Sequence, residues 1–139
     1  MSEKEESKKR PSFDFTKLQD FISKNPSLAR ENASKGIFSL GVLVQLVFAL
    51  QKYHLQSTPF ENKLKGLNIS PNDVDRIFKE AVEKIKQYEE PSGSNYYKEL
   101  REYLAEQLLF YKKEIEKMSN QEISFNFVCG LELGRKFKS

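Results

Sequence analysis

An all-α, compact helical bundle of about five main helices with short connecting helices is the fold this sequence predicts. Three observations carry that expectation. Apolar residues recur at i, i+3 and i+4 along most of the chain. Helix-start signals of the capping-box kind open three segments. Two apolar segments contain glycines, Gly41 in one and Gly130 and Gly134 in the other. A glycine inside a helix costs about 1 kcal/mol relative to alanine. A chain that accepts this three times is expected to bring backbones close together there, with Gly41 facing the Gly130-to-Gly134 stretch.

The elements follow in order. Residues 1–12 mix Lys, Glu and Ser without period and are expected to be a disordered charged tail; residues 13–139 are expected to form a single helical-bundle domain. Phe13, Phe15, Leu18, Phe21 and Ile22 share one helix face, and Pro26 stops it. A second helix, from about Ser34 to about Leu55, is apolar nearly all round and is expected at the centre. Thr58-Pro59-Phe60-Glu61 is a capping-box pattern with proline at the first helical position, opening a short helix that ends at Gly66. Ser70-Pro71-Asn72-Asp73 repeats the device before the stripe Val74, Ile77, Phe78, Ala81, Ile85 and Tyr88.

Pro91-Ser92-Gly93-Ser94 is a turn. Tyr97, Leu100, Leu104, Leu108, Tyr111 and Ile115 predict one long helix, to which Tyr96, Tyr103 and Phe110 add a second apolar edge. That helix is expected to lie between two neighbours. Ser119-Asn120-Gln121-Glu122 is a third capping box. After it the two periodicities conflict: Ile123, Phe125, Phe127, Cys129, Leu131 and Leu133 alternate strictly, which is a strand pattern. The capping box and the lack of any partner strand favour a helix there. Ser124, Glu132, Arg135 and Lys136 then gather on one side of it.

Composition narrows the function classes. The chain of 139 residues is 38% hydrophobic, enough for a core. Cys129 is the only cysteine, which excludes an intramolecular disulfide and fits a reducing, cytoplasmic setting. The start, Met1 to Arg10, lacks the apolar stretch of a signal peptide. The apolar run from Ile37 is about fourteen residues and holds a glutamine, against about twenty for a membrane span, so a buried core helix is expected.

An enzyme needs a constellation of reactive groups. His54 is the only histidine, and no serine–histidine–acid set, Cys/His metal set or phosphate loop can be assembled. Glu102 and Glu106 stand at i, i+4 as paired acids would, but a solvated helix face explains them, as it explains Glu80, Glu83 and Glu99. Neither catalysis, nor a metal, nor a cofactor is expected.

The cations are the remaining candidates. Net charge is +3, unevenly spread: residues 1–66 carry 11 basic and 7 acidic residues, residues 67–122 carry 9 and 12, and residues 123–139 carry 3 and 1. Lys52 and His54 end the apolar helix, Lys63 and Lys65 follow shortly, and Arg30 and Lys35 precede it. Arg135 and Lys136 stand near the end of the chain. Each alone is explained as a solvated charge or a helix-dipole partner; gathered on one face, they would hold phosphates without reading sequence. Tyr53, between Lys52 and His54, is the aromatic residue placed to stack on a base.

Three segments together resemble one family. They are Phe38-Ser39-Leu40-Gly41-Val42-Leu43-Val44, then Pro59 to Ile69, then Ile123 to Gly130, with the helix start Tyr96-Tyr97-Lys98-Glu99-Leu100 in the right order between them. The chain from about residue 30 to its end is similar to the C-terminal region of the large subunit of type I-B CRISPR Cascade, a region also made separately as the Cascade small subunit. The resemblance implies a non-catalytic helical subunit of an RNA-guided antiviral complex. Its implied partners are the Cascade backbone and large subunits, crRNA, target DNA and further copies of itself, with no membrane and no small-molecule substrate. It would scaffold the complex and hold the crRNA–target heteroduplex and displaced strand by their backbones. The family offers no catalytic residues to carry over, and the PAM-reading region is absent from a chain this short. The alternative is a purely architectural helical module that touches no nucleic acid.

Overall fold

A computed structural model describes residues 11–26, 32–64, 68–88 and 97–137. The elements are α1 (Phe15–Lys24), α2 (Asn32–Leu55), α3 (Pro59–Leu64), α4 (Pro71–Gln87), α5 (Lys98–Phe110), α6 (Lys112–Glu116), α7 (Asn120–Leu133) and a closing 3-10 turn, Gly134–Lys136. Among the described residues there is no strand, and the all-α expectation holds. The expected tail over residues 1–10, the stop at Gly66, the turn at Pro91-Ser94 and the position of Tyr96 lie outside the described residues.

Capping chemistry places three of the helix starts. Asp14 Oδ1 accepts from the Thr16 and Lys17 N–H groups (3.0 and 3.3 Å) and begins α1. Before α4, the Ser70 N–H donates to Asp73 Oδ2 at 3.0 Å, with Pro71 at the first helical position. Before α7, the capping box is reciprocal: Glu122 N–H donates to Ser119 Oγ (3.1 Å) and Ser119 N–H to Glu122 Oε1 (3.2 Å). Hence 120–133 is helical: Ile123, Asn126, Phe127 and Gly130 are buried along one face, while Phe125 of the alternating set points outward. At α3 a distant group intervenes: the Phe60 N–H donates to Oε1 of Gln51, a buried α2 side chain, at 3.0 Å.

α2 is the axle. At 24 residues it is about 36 Å long. It packs against α3, α4, α5, α6, α7 and the closing turn. It is long and apolar enough to cross a membrane by length and composition alone, yet 78% of its apolar window is buried inside the bundle. Val42, Leu43, Val44 and Val47 are spent on protein neighbours.

The closest of those neighbours is α7. A Cβ on Gly41 would lie 3.0 Å from Gly130 Cα, and one on Gly134 would lie 3.0 Å from Gln45 Cβ. One turn further along α2 thus meets one turn further along α7, so the two helices run in the same direction. The glycines are where the two backbones touch, as the sequence predicts.

One expected element divides. The long helix after Tyr97 breaks at Tyr111 (φ −107°, ψ 24°) into α5 and α6. Ile115 still reaches the core, but Leu109 and Phe110 are 76% and 71% exposed. The second apolar edge therefore lies only partly between neighbours: Tyr103 meets Phe15, ring centroids 5.5 Å apart, while Phe110 faces outward.

Candidate nucleic-acid interface

The two ends of the described chain are joined. The Asp14 N–H donates to Phe137 O at 2.7 Å, and the rings of Phe21 and Phe137 meet edge to face at 5.4 Å. This holds Pro11, Ser12 and Phe13 against the C-terminal half of α2. Between them, the link after α2 and the closing turn opens a cleft of about 500 Å³, lined by Val42, Gln45, Leu46, Phe48, Ala49 and Lys52 of α2, by Gln56, Ser57, Thr58 and Glu61, and by Gly134 and Arg135.

Lys52 and Arg135, far apart in sequence, thus line one cleft. Both are exposed, and neither takes part in an ion pair among the described residues. Arg135 is oriented by Gln45. In the amide orientation that satisfies both its groups, Gln45 donates to Leu131 O (3.0 Å) and accepts from Arg135 Nε (3.3 Å), leaving the Nη groups of Arg135 available. Lys136, also exposed and outside every ion pair among the described residues, follows in the same turn.

The other sequence candidates are placed differently. Lys63 pairs with Glu80 at 2.6 Å, so its charge is largely answered within the protein. His54 is stacked on Tyr88, centroids 4.9 Å apart and planes 9° from parallel, and Tyr53 meets it edge-on at 4.9 Å. Tyr88 covers one face of the His54 ring, while Tyr53 stays exposed. Lys35, half-exposed, stands near the far end of α2, about 26 Å from Lys52 along the axis. Arg30 and Lys65 lie outside the described residues.

The structure also brings in residues that the sequence reading did not single out. Gln56 has φ of 57°, the left-handed region, and is the non-glycine residue in that region among those described. Its N–H donates to Lys52 O at 3.0 Å, closing the end of α2 and turning Ser57 and Thr58 into the cleft wall. Gln45 did carry a signal, as a lone glutamine within an apolar helical run. Gln56 carried none, because left-handed backbone is ordinarily announced by Gly or Asn.

Among the described residues no three His, Cys, Asp or Glu side chains come together as metal ligands would. Burial, and then the Glu132 carboxylate, push the Cys129 thiol above its ordinary value, opposite to the direction that activates a nucleophile.

Comparison with known families decides what kind of protein this is. The family model described as CRISPR-associated protein TM1802 (cas_TM1802) C-terminal domain matches residues 1–139. The chain belongs to that family. No curated protein and no solved structure matches it. Membership in the TM1802 C-terminal family bears out the resemblance at the level of a CRISPR-associated, Cascade-type protein. The cleft at the joined chain ends is therefore a feature of a CRISPR-associated helical bundle.

Proposed function

We propose that this member of the TM1802 family is a non-catalytic, cytoplasmic small subunit of a type I-B Cascade complex. It scaffolds the assembly with the backbone and large subunits and further copies of itself. It holds the crRNA–target heteroduplex and the displaced strand through sequence-nonspecific backbone contacts. The observation that carries this reading is the meeting of Lys52 and Arg135, free of ion pairs among the described residues, on one cleft with Lys136 beside it. Cations outside ion pairs are the ones that exchange counterions for phosphates. The family description, a C-terminal domain, agrees with the resemblance to the end of a Cascade large subunit.

The test is charge reversal in the assembled complex. Lys52→Glu with Arg135→Glu should weaken displaced-strand binding and flatten its salt dependence by about one log unit per lost contact. Lys63→Glu should do much less, because Glu80 already answers Lys63. Unchanged R-loop formation in the double variant would sink the reading in favour of the architectural one. That second reading has its own support in the exposed Leu109, Phe110, Phe125 and Val128, which offer apolar contact without charge.

A further inference from the structure

We infer that the cleft at the joined chain ends receives one unstacked nucleotide of a single strand. This rests on the backbone-binding reading and adds a pocket to it. Phosphate holding alone needs only projecting cations. Here the cations line a concavity of about 500 Å³ together with apolar residues of α2, Leu46, Phe48 and Ala49 among them. That size is that of a small-molecule pocket, and its lining mixes apolar side chains with Gln45, Gln56, Ser57, Thr58 and Glu61. A nucleotide matches its division. The flat base lies against the apolar side chains of the lining, and the phosphate meets Lys52 and the Nη groups of Arg135.

Two further features fit a base more closely than a bare phosphate. Gln56 keeps a left-handed backbone at this wall, where glycine would be at ease. Backbone strain concentrates at functional sites, and the Gln56 amide offers both donor and acceptor to a base edge. Glu61 also lines the cleft. A carboxylate opposes a phosphate, but it accepts from the exocyclic amino group that adenine and cytosine carry and thymine lacks. The pocket should therefore favour an amino-bearing base.

The full chain is titrated with deoxyadenosine monophosphate and thymidine monophosphate, watched by amide chemical shifts. It is also titrated with a short single-stranded oligonucleotide carrying 2-aminopurine, whose fluorescence rises on unstacking. Deoxyadenosine monophosphate at millimolar concentration should shift the amides of Gln56 and Thr58, and more strongly than thymidine monophosphate. Saturating protein should raise the fluorescence of the oligonucleotide. Ala49→Phe, which fills the cleft, should abolish both signals and weaken oligonucleotide binding about fivefold or more. Should Ala49→Phe misfold, Lys52→Met, which keeps the stem and drops the charge, should weaken mononucleotide binding by a comparable factor. Oligonucleotide binding without a fluorescence rise or mononucleotide shifts would overturn the pocket while leaving backbone binding standing. Mononucleotide shifts without oligonucleotide binding would overturn the pocket as a single-strand site and count against backbone holding; silence in both would overturn both.

Discussion

Gly41 and Gly130 face each other so closely that a Cβ built on either would lie 3.0 Å from the Cα of the other. It would also run into a main-chain oxygen, that of Phe127 for Gly41 and that of Phe38 for Gly130. Backbone cannot swing aside as a side chain does, so the contact between α2 and α7 has no room for a methyl group.

Alanine at the helical glycines should consequently divide by position. Gly130→Ala or Gly41→Ala is expected to lose about 3 kcal/mol, by overpacking against backbone. Gly36→Ala should gain about 0.5–1 kcal/mol of helix propensity, because its Cβ would meet Gln107 Cβ and Leu108 Cδ2 at ordinary contact distances of 3.5 and 3.6 Å. Urea unfolding midpoints check the order. A Gly130→Ala midpoint equal to the parent would refute the close crossing.

Gln56 should be improvable in stability and costly in function. Gln56→Gly removes the left-handed penalty and is expected to stabilise the fold by about 1 kcal/mol, seen as a higher melting temperature. Gln56→Val at the same φ should destabilise. If both variants melt with the parent, the end of α2 is not held as described.

Asp73 links stability to acid. Its hydrogen bond from the Ser70 N–H, and then the Arg76 guanidinium 2.7 Å away, hold its carboxyl below the ordinary value. A depressed carboxylate stabilises the fold fully above its unfolded pKa of about 3.9, and that stability is lost as pH falls through the folded value. The stability difference between the parent and Asp73→Asn should thus be constant from neutral pH down to about 5 and shrink below about 4. Urea titrations across that range test the sign; a difference growing in acid would contradict it.

Cys129 should alkylate slowly. Its thiol is pushed up first by burial and then by Glu132, so little thiolate is present at mildly alkaline pH. Iodoacetamide labelling followed by mass should run slower than for a free thiol, and Glu132→Gln should speed it. Labelling at the free-thiol rate would show the group to be open.

Much of this architecture was legible because its causes are local. Asp73 and Glu122 lie three residues after the serines they cap, within the reach of a sequence window. The glycines announced their crossing because a helix tolerates them only for a reason beyond itself. The break at Tyr111 was not legible: the apolar spacing runs on to Ile115, and no Gly or Pro marks the change. Nor was the pairing of Lys63 with Glu80, or of Gln51 with the Phe60 N–H, since both depend on how separate elements dock. The cleft was the hardest feature to foresee. Lys52 and Arg135 were candidates on charge alone, while their shared wall is assembled by tertiary packing from both ends of the described chain.

The Asp14–Phe137 hydrogen bond has a consequence for the order of assembly. Joining such distant segments carries a large loop-closure cost unless α2 and α7 have already docked. The cleft wall should therefore form late in folding and open early in local unfolding. Faster hydrogen exchange at the Asp14 amide than at Val44 would reveal this as a latch, released while the glycine-crossed helices remain together.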